Sequence, residues 1–134
     1  MGVELAKDAI DLGIVTNNGD AMVEFYKGVL GFEEEPSTPF PMGGKMIRLL
    51  CGDSLIKIVI PDPGAPGAPP PGPIANATGL RYWTMRVNNL TEIMAACEAS
   101  GAPITVPVTE VRPGVTIGIV EDPDGNQVEF VSLS

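Results

Sequence analysis

Ala21-Met-Val-Glu-Phe-Tyr-Lys-Gly-Val-Leu-Gly-Phe32 carries the periodicity on which the fold turns. Met22, Phe25, Tyr26, Val29 and Leu30 recur at the spacing that gathers apolar side chains on one face of a helix. Gly31 follows them, where helices commonly close on a residue free to adopt positive φ. Just upstream, Asn17-Asn18-Gly19 breaks the chain and Asp20 is suited to cap the helix. Ile10 to Thr16, rich in β-branched and aliphatic residues, predicts a strand before that break. Three strands are expected downstream, near Glu33 to Phe40, Lys45 to Cys51 and Leu55 to Ile60. Gly52-Asp53 suits a tight hairpin between the last two.

Pro61 to Pro73 then contains only Pro, Gly and Ala apart from Asp62, a composition unable to sustain a helix or a ladder. It reads as a semi-rigid linker extending to about residue 78, with a Pro-rich recognition segment as the alternative. Beyond it the pattern restarts. Leu80 to Val87 predicts a strand and Asn88-Asn89 a break. Leu90 to Ser100 predicts a helix with Leu90, Ile93, Met94 and Cys97 on one face, closed by Gly101. Strands follow at Val106 to Arg112, Val115 to Val120 and Gln127 to Leu133, the last preceded by an Asp122-Pro-Asp-Gly-Asn126 turn. Asn17-Asn18 and Met22 fall on Asn88-Asn89 and Ile93 with an offset near 71, and Leu55 to Ile58 on Gln127 to Phe130 with an offset of 72. The shared order of elements implies an internal duplication. The expected class is α+β, with two βαβββ modules at 9–60 and 79–134 inside a single domain of 1–134.

The 134 residues can bury a core, and 44% hydrophobic content argues against a disordered chain. A net charge of −9 disfavours nucleic acid and anionic membrane surfaces as partners. Cys51 and Cys97 are too sparse for a disulfide framework or a Cys metal site and read as inert core thiols. No signal peptide is seen and no run approaches the roughly 20 apolar residues of a membrane helix, so a cytoplasmic, soluble protein is expected. The absence of histidine removes His-based acid/base chemistry and every His-containing metal site.

Ala21 to Phe32, with its "FY…VLGF" run, and Val120-Glu-Asp-Pro-Asp-Gly-Asn-Gln-Val-Glu-Phe130, with its "DPDGN…E" hairpin, resemble signature stretches of the vicinal oxygen chelate superfamily, which is glyoxalase, bleomycin-resistance and extradiol-dioxygenase-like. The resemblance covers nearly the whole chain. It implies two βαβββ modules whose curved mixed sheets form a central cleft, and a homodimer. It also implies four metal-ligand positions, on the first and last strand of each module, falling here at Asp11, Lys57, Tyr82 and Glu129. Only Glu129 keeps the common identity, and a protonated Lys57 has no lone pair to offer. A metal-site-degenerate member without metal or other cofactor is therefore expected.

Alternation supports the same faces. Tyr82, Thr84 and Arg86 share one side of their strand, opposite Trp83, Met85 and Val87, and Asp11, Gly13 and Val15 share one side of theirs. Lys57 interrupts an apolar run and would be costly without a partner, which predicts an ion pair with Asp11 or Glu129. That pair either replaces a lost metal or belongs to an acid/base set of Glu129, Lys57, Tyr82 and Asp11. Arg86, Thr84, Gly13 and Arg48 are candidate ligand-binding positions, Arg48 and Arg86 as bidentate partners of a carboxylate or enolate. Gly13 and Gly118, single glycines within strands, mark close approach of a ligand, a bulge or simple packing.

Two functional classes follow. The first is a metal-independent enzyme acting on a small carbonyl or phenolic metabolite as isomerase, lyase or cyclase. Glu129 or Asp11 would be its base, and Tyr82 or Lys57 would stabilise the oxyanion. The second is a non-catalytic drug- or antibiotic-binding protein of the same fold. The 5% aromatic content tilts toward the enzyme, because a drug-binding pocket needs aromatic walls. A metal-dependent lyase or dioxygenase is the third alternative.

Overall fold

The computed structural model describes residues 2–134; Met1 lies outside the described residues. The chain divides into two compact units, Met1–Pro66 and Gly67–Ser134. Each is a four-stranded mixed sheet covered on one face by a helix, the repeat expected from the duplication.

In the first unit β1 (Leu12–Val15) is followed by α1 (Gly19–Val23), which continues into a π-helical segment, Glu24–Val29. Strands β2 (Glu33–Pro39), β3 (Gly44–Cys51) and β4 (Ser54–Pro61) complete it in the order β1-β4-β3-β2. β1 runs parallel to β4 and the other pairs are antiparallel. Gly52, at positive φ, makes the two-residue hairpin that sets Cys51 against Ser54. The helix begins at Gly19 with Asn18 in the cap position, so the expectation for Asp20 is corrected. The Asn18 carbonyl accepts the Met22 N–H at 3.1 Å, which draws Asp20 into the first turn. There its carboxylate still suits the positive end of the helix dipole.

The wider π turn is visible in the Leu30 N–H, which donates to the Phe25 carbonyl five residues back at 3.0 Å. Phe25 and Tyr26 meet edge to face with centroids 4.9 Å apart, and Tyr26 stacks on Phe32 at 5.8 Å. Those contacts explain the aromatic positions of the opening stretch. Gly31, with φ of 80°, turns the chain so that Phe32 folds back under Tyr26. Met22, Leu49, Ile56 and Ile58 complete this core.

In the second unit a 3₁₀ turn (Ile74–Asn76) precedes β5 (Tyr82–Arg86), α2 (Leu90–Ala99), β6 (Ile104–Arg112), β7 (Val115–Glu121) and β8 (Gln127–Leu133). The sheet order is β5-β8-β7-β6, with β5 parallel to β8. Leu90, Met94 and Cys97 of α2 pack onto a floor containing Val120, Val128 and Phe130. Gly118 belongs to this contact. A Cβ there would lie 2.6 Å from Met94 Sδ, so the glycine is a packing position within regular register, facing Phe130. Burial pushes the Cys97 thiol up to about 11 and raises that of Cys51, as inert thiols require. Among the described residues no helix is long and apolar enough to cross a membrane.

Candidate functional site

Each sheet has one face under its helix and one face turned away from it. In the second module the open face follows from Gly118 and Phe130, which point toward α2; Glu129, between Val128 and Phe130, points the other way. Register places Thr84 directly across from Glu129, and Thr84 Oγ1 donates to Glu129 Oε1 at 2.7 Å. Tyr82 and Arg86 flank Thr84 on the same side of β5, and all three are exposed. The predicted alternation holds, with Trp83, Met85 and Val87 less exposed. Glu129 is half-buried, so its carboxylate is oriented by a neighbour without being sealed from solvent.

The turn before β8 is held by a buried carboxylate. Asp122, 2% exposed, accepts the Asp124 and Asn126 backbone N–H groups on Oδ1 at 3.0 and 2.9 Å, and Asn126 Nδ2 on Oδ2 at 2.9 Å. Gly125, with φ of 87°, completes the reversal. Buried Gln127 accepts the Thr105 hydroxyl at 2.8 Å and donates to Glu121 at 3.3 Å. These contacts fix the start of β8 and hence the height at which Glu129 emerges. The "DPDGN" signature signals the turn; the role of Gln127 has no signal in sequence.

The first module carries a different set at the corresponding places. Register aligns Gly13, Lys57, Arg48 and Glu35 in one row across β1, β4, β3 and β2. Lys57 and Arg48 are half-buried, and a Cβ on Gly13 would meet nothing within 4 Å. The expected pairing of Lys57 with Asp11 is not found. Asp11 lies one residue before β1, beside Leu55 rather than Lys57. Its Oδ1 accepts Lys7 Nζ at 2.7 Å and the Leu55 N–H at 2.8 Å. The Lys7 contact, then the Leu55 N–H, hold the Asp11 carboxyl below the usual carboxylate range, with Lys57 adding a smaller pull. Among the described residues of the first module Lys57 makes no ion pair, and Glu35, across from Arg48, is a neighbour the sequence reading did not single out.

The four family positions therefore differ in what they can donate. Asp11 has its carboxylate engaged, Lys57 is an ammonium, Tyr82 offers an exposed phenol and Glu129 a carboxylate. Among the described residues no three of Asp, Glu, Cys and His come together as a metal-binding group. A separate concavity of about 420 Å³ lies on the helix side of the first module, walled by Asp20, Glu24, Lys27 and Lys45 above Ile47 and Ile60. None of the residues expected at the site lines it.

Residues 9–130 match the family model of the Glyoxalase/Bleomycin resistance protein/Dioxygenase superfamily. No curated protein matches the chain by sequence. The fold is similar to that of a putative glyoxalase family protein from Bacillus anthracis (TM-score 0.67, 20% identity, covering 100% of this chain and 99% of that one). It is also similar to TnmS3, an antibiotic binding protein from Streptomyces sp. CB03234 (TM-score 0.71, 18% identity, covering 98% and 100%). A third likeness is to the trypanothione-dependent glyoxalase I of Leishmania major (TM-score 0.68, 19% identity, covering 91% and 84%).

Proposed function

The chain belongs to the Glyoxalase/Bleomycin resistance protein/Dioxygenase superfamily, and from that premise we propose that it is a metal-independent acid/base enzyme for a small carbonyl or phenolic metabolite. The observation that carries this reading is the Thr84–Glu129 hydrogen bond on the open face of the second module. The hydroxyl occupies one lone-pair direction of Oε1 and orients the carboxylate, leaving Oε2 to accept a proton. Glu129 takes a proton from the carbon beside the substrate carbonyl, and the electron pair moves onto the carbonyl oxygen as an enolate. The Tyr82 phenol or the Arg86 guanidinium donates to that oxygen. Return of the proton to the opposite face of that carbon gives an epimer, and to another carbon gives an isomer where the substrate carries a neighbouring hydroxyl or a conjugated double bond; loss of a β-leaving group gives a lyase product.

The donor set does not fit a divalent cation. One of its two carboxylates is engaged by Lys7 and the Leu55 N–H, and an ammonium stands at a third position. Asp11 is for the same reason a poorer base than Glu129. The test is deuterium incorporation at the carbon beside the carbonyl in D₂O, present in the natural chain and lost in Glu129→Gln. Ligand binding without exchange would instead make the chain a carrier, in the manner of a drug-binding protein. A homodimeric assembly, which the resemblance implies, and a cytoplasmic setting, which the sequence reading expects, belong to the same proposal.

A further inference from the structure

We propose that the open face of the first module holds the oxyanion of a small organic ligand, a carboxylate or a phosphate, between Arg48 and Lys57. This inference rests on the reading of the open faces as small-molecule surfaces and adds the charge class of the ligand.

Arg48 and Lys57 are directly opposed across the antiparallel β3–β4 pair, and opposed residues have Cβ atoms roughly 4.5–5.5 Å apart on the same face. Like charges at that separation repel and weaken a sheet. Both side chains are half-buried, so water screens them less than it would on an open surface. Among the described residues neither is in a contact ion pair. Asp11, just before β1, has its charge shared with Lys7 and the Leu55 N–H. Glu35 is aligned with Arg48, yet neither forms an ion pair among the described residues. Two cations therefore share one short row on a chain whose net charge is −9, where acidic partners are plentiful elsewhere.

The second observation is steric. Gly13 continues the row on the far side of Lys57, and the space where its Cβ would stand is empty to 4 Å. Absence of a side chain there leaves the ammonium approachable along β1. The duplication sharpens the point, because the same row in the second module reads Thr84, Glu129 and Ile119. One copy presents a carboxylate with a hydroxyl donor, the other a guanidinium and an ammonium beside a glycine. A planar guanidinium takes two oxygens of one oxyanion, and the ammonium adds a point charge with three donors.

The test titrates the ¹⁵N-labelled full chain with benzoate, phenyl phosphate and neutral benzamide while following backbone amide shifts. Saturable shifts around Gly13, Arg48 and Lys57 are expected from benzoate, phenyl phosphate or both, with the tighter of the two naming the source of the oxyanion, and none from benzamide. Kd should rise roughly tenfold or more in Arg48→Gln and in Lys57→Gln, and less in Arg48→Lys, which keeps the charge but not the fork. Where a glutamine variant loses its dispersed spectrum, Arg48→Met or Lys57→Met replaces it. Equal shifts with benzamide, shifts confined to β5 and β8, or an unchanged Kd in folded variants overturn the oxyanion assignment while leaving small-molecule binding in place. No shift on either module with any of the three compounds overturns both.

Discussion

Thr84 Oγ1 lies 2.7 Å from Glu129 Oε1, whereas at the corresponding place of the first module Gly13 faces Lys57 with no hydroxyl and no carboxylate. The two copies of the duplicated module have thus taken opposite charges on equivalent strands. That difference follows from two residue identities on a shared register.

Replacing Thr84 by Val keeps a β-branched shape suited to a strand and deletes only the donor. A net hydrogen bond is worth about 1 kcal/mol, so Thr84→Val should unfold within about 1 kcal/mol of the natural chain while its proton-exchange rate falls roughly tenfold. Denaturant titration paired with exchange kinetics checks both. Exchange unchanged in a folded variant would show that Glu129 needs no orienting group.

Gly118→Ala places a methyl 2.6 Å from Met94 Sδ and 2.7 Å from Met94 Cε, and Met94 is only 5% exposed. Overpacking of this kind costs about 1–3 kcal/mol. Met94→Ala in the same chain should recover part of the loss, so a double-mutant cycle should give a favourable coupling. Gly13→Ala, with nothing within 4 Å of the new methyl, should unfold within about 1 kcal/mol of the natural chain.

Asp122→Ala removes the acceptor of two backbone N–H groups and one side-chain amide in the turn before β8. Leaving buried donors unpaired costs about 1–3 kcal/mol. Thermal unfolding should show the loss. Glu129, whose strand starts at that turn, should lose exchange activity in the folded fraction as well.

Much of this organisation was legible in the order of residues. The helical period from Met22 to Leu30, the glycine at 31 and the restart after the Pro/Gly segment place every strand and both helices. Alternation along β5 correctly separates Tyr82, Thr84 and Arg86 from Trp83 and Met85. Partners across strands were harder to read. The Gly52-Asp53 hairpin pairs residues symmetrically about itself, so Arg48 opposite Lys57 follows from it, but only once that turn is known to hold two residues. Lys7 was invisible as the partner of Asp11 because it precedes β1 and belongs to no periodic element. Glycines at 13 and 118 look alike in a strand, and only the helix above one of them distinguishes open space from a packed contact.

Asp11 gives a pH dependence of known sign. Its folded carboxyl sits below the ordinary value of 3.8, chiefly through Lys7 and then the Leu55 N–H, so the anion is favoured in the folded chain. The tether of residues 7–11 to Leu55 should therefore be complete above about pH 5, being lost as pH falls through the folded value below 3.8. Asp11→Asn should remove that dependence. Hydrogen exchange at the Leu55 amide, followed from pH 6 to pH 3 and referenced to intrinsic rates, reads the change directly.

The proton-transfer role of Glu129 is tested most directly by ¹H NMR in D₂O with phenylpyruvate and simple aryl ketones as probes. The natural chain should remove the signal of the protons beside the carbonyl faster than buffer alone, and Glu129→Gln should slow that loss by about 10²–10⁴. Equal exchange in folded Glu129→Gln would contradict the account, as would a probe that binds the open face of β5 and β8 without any exchange.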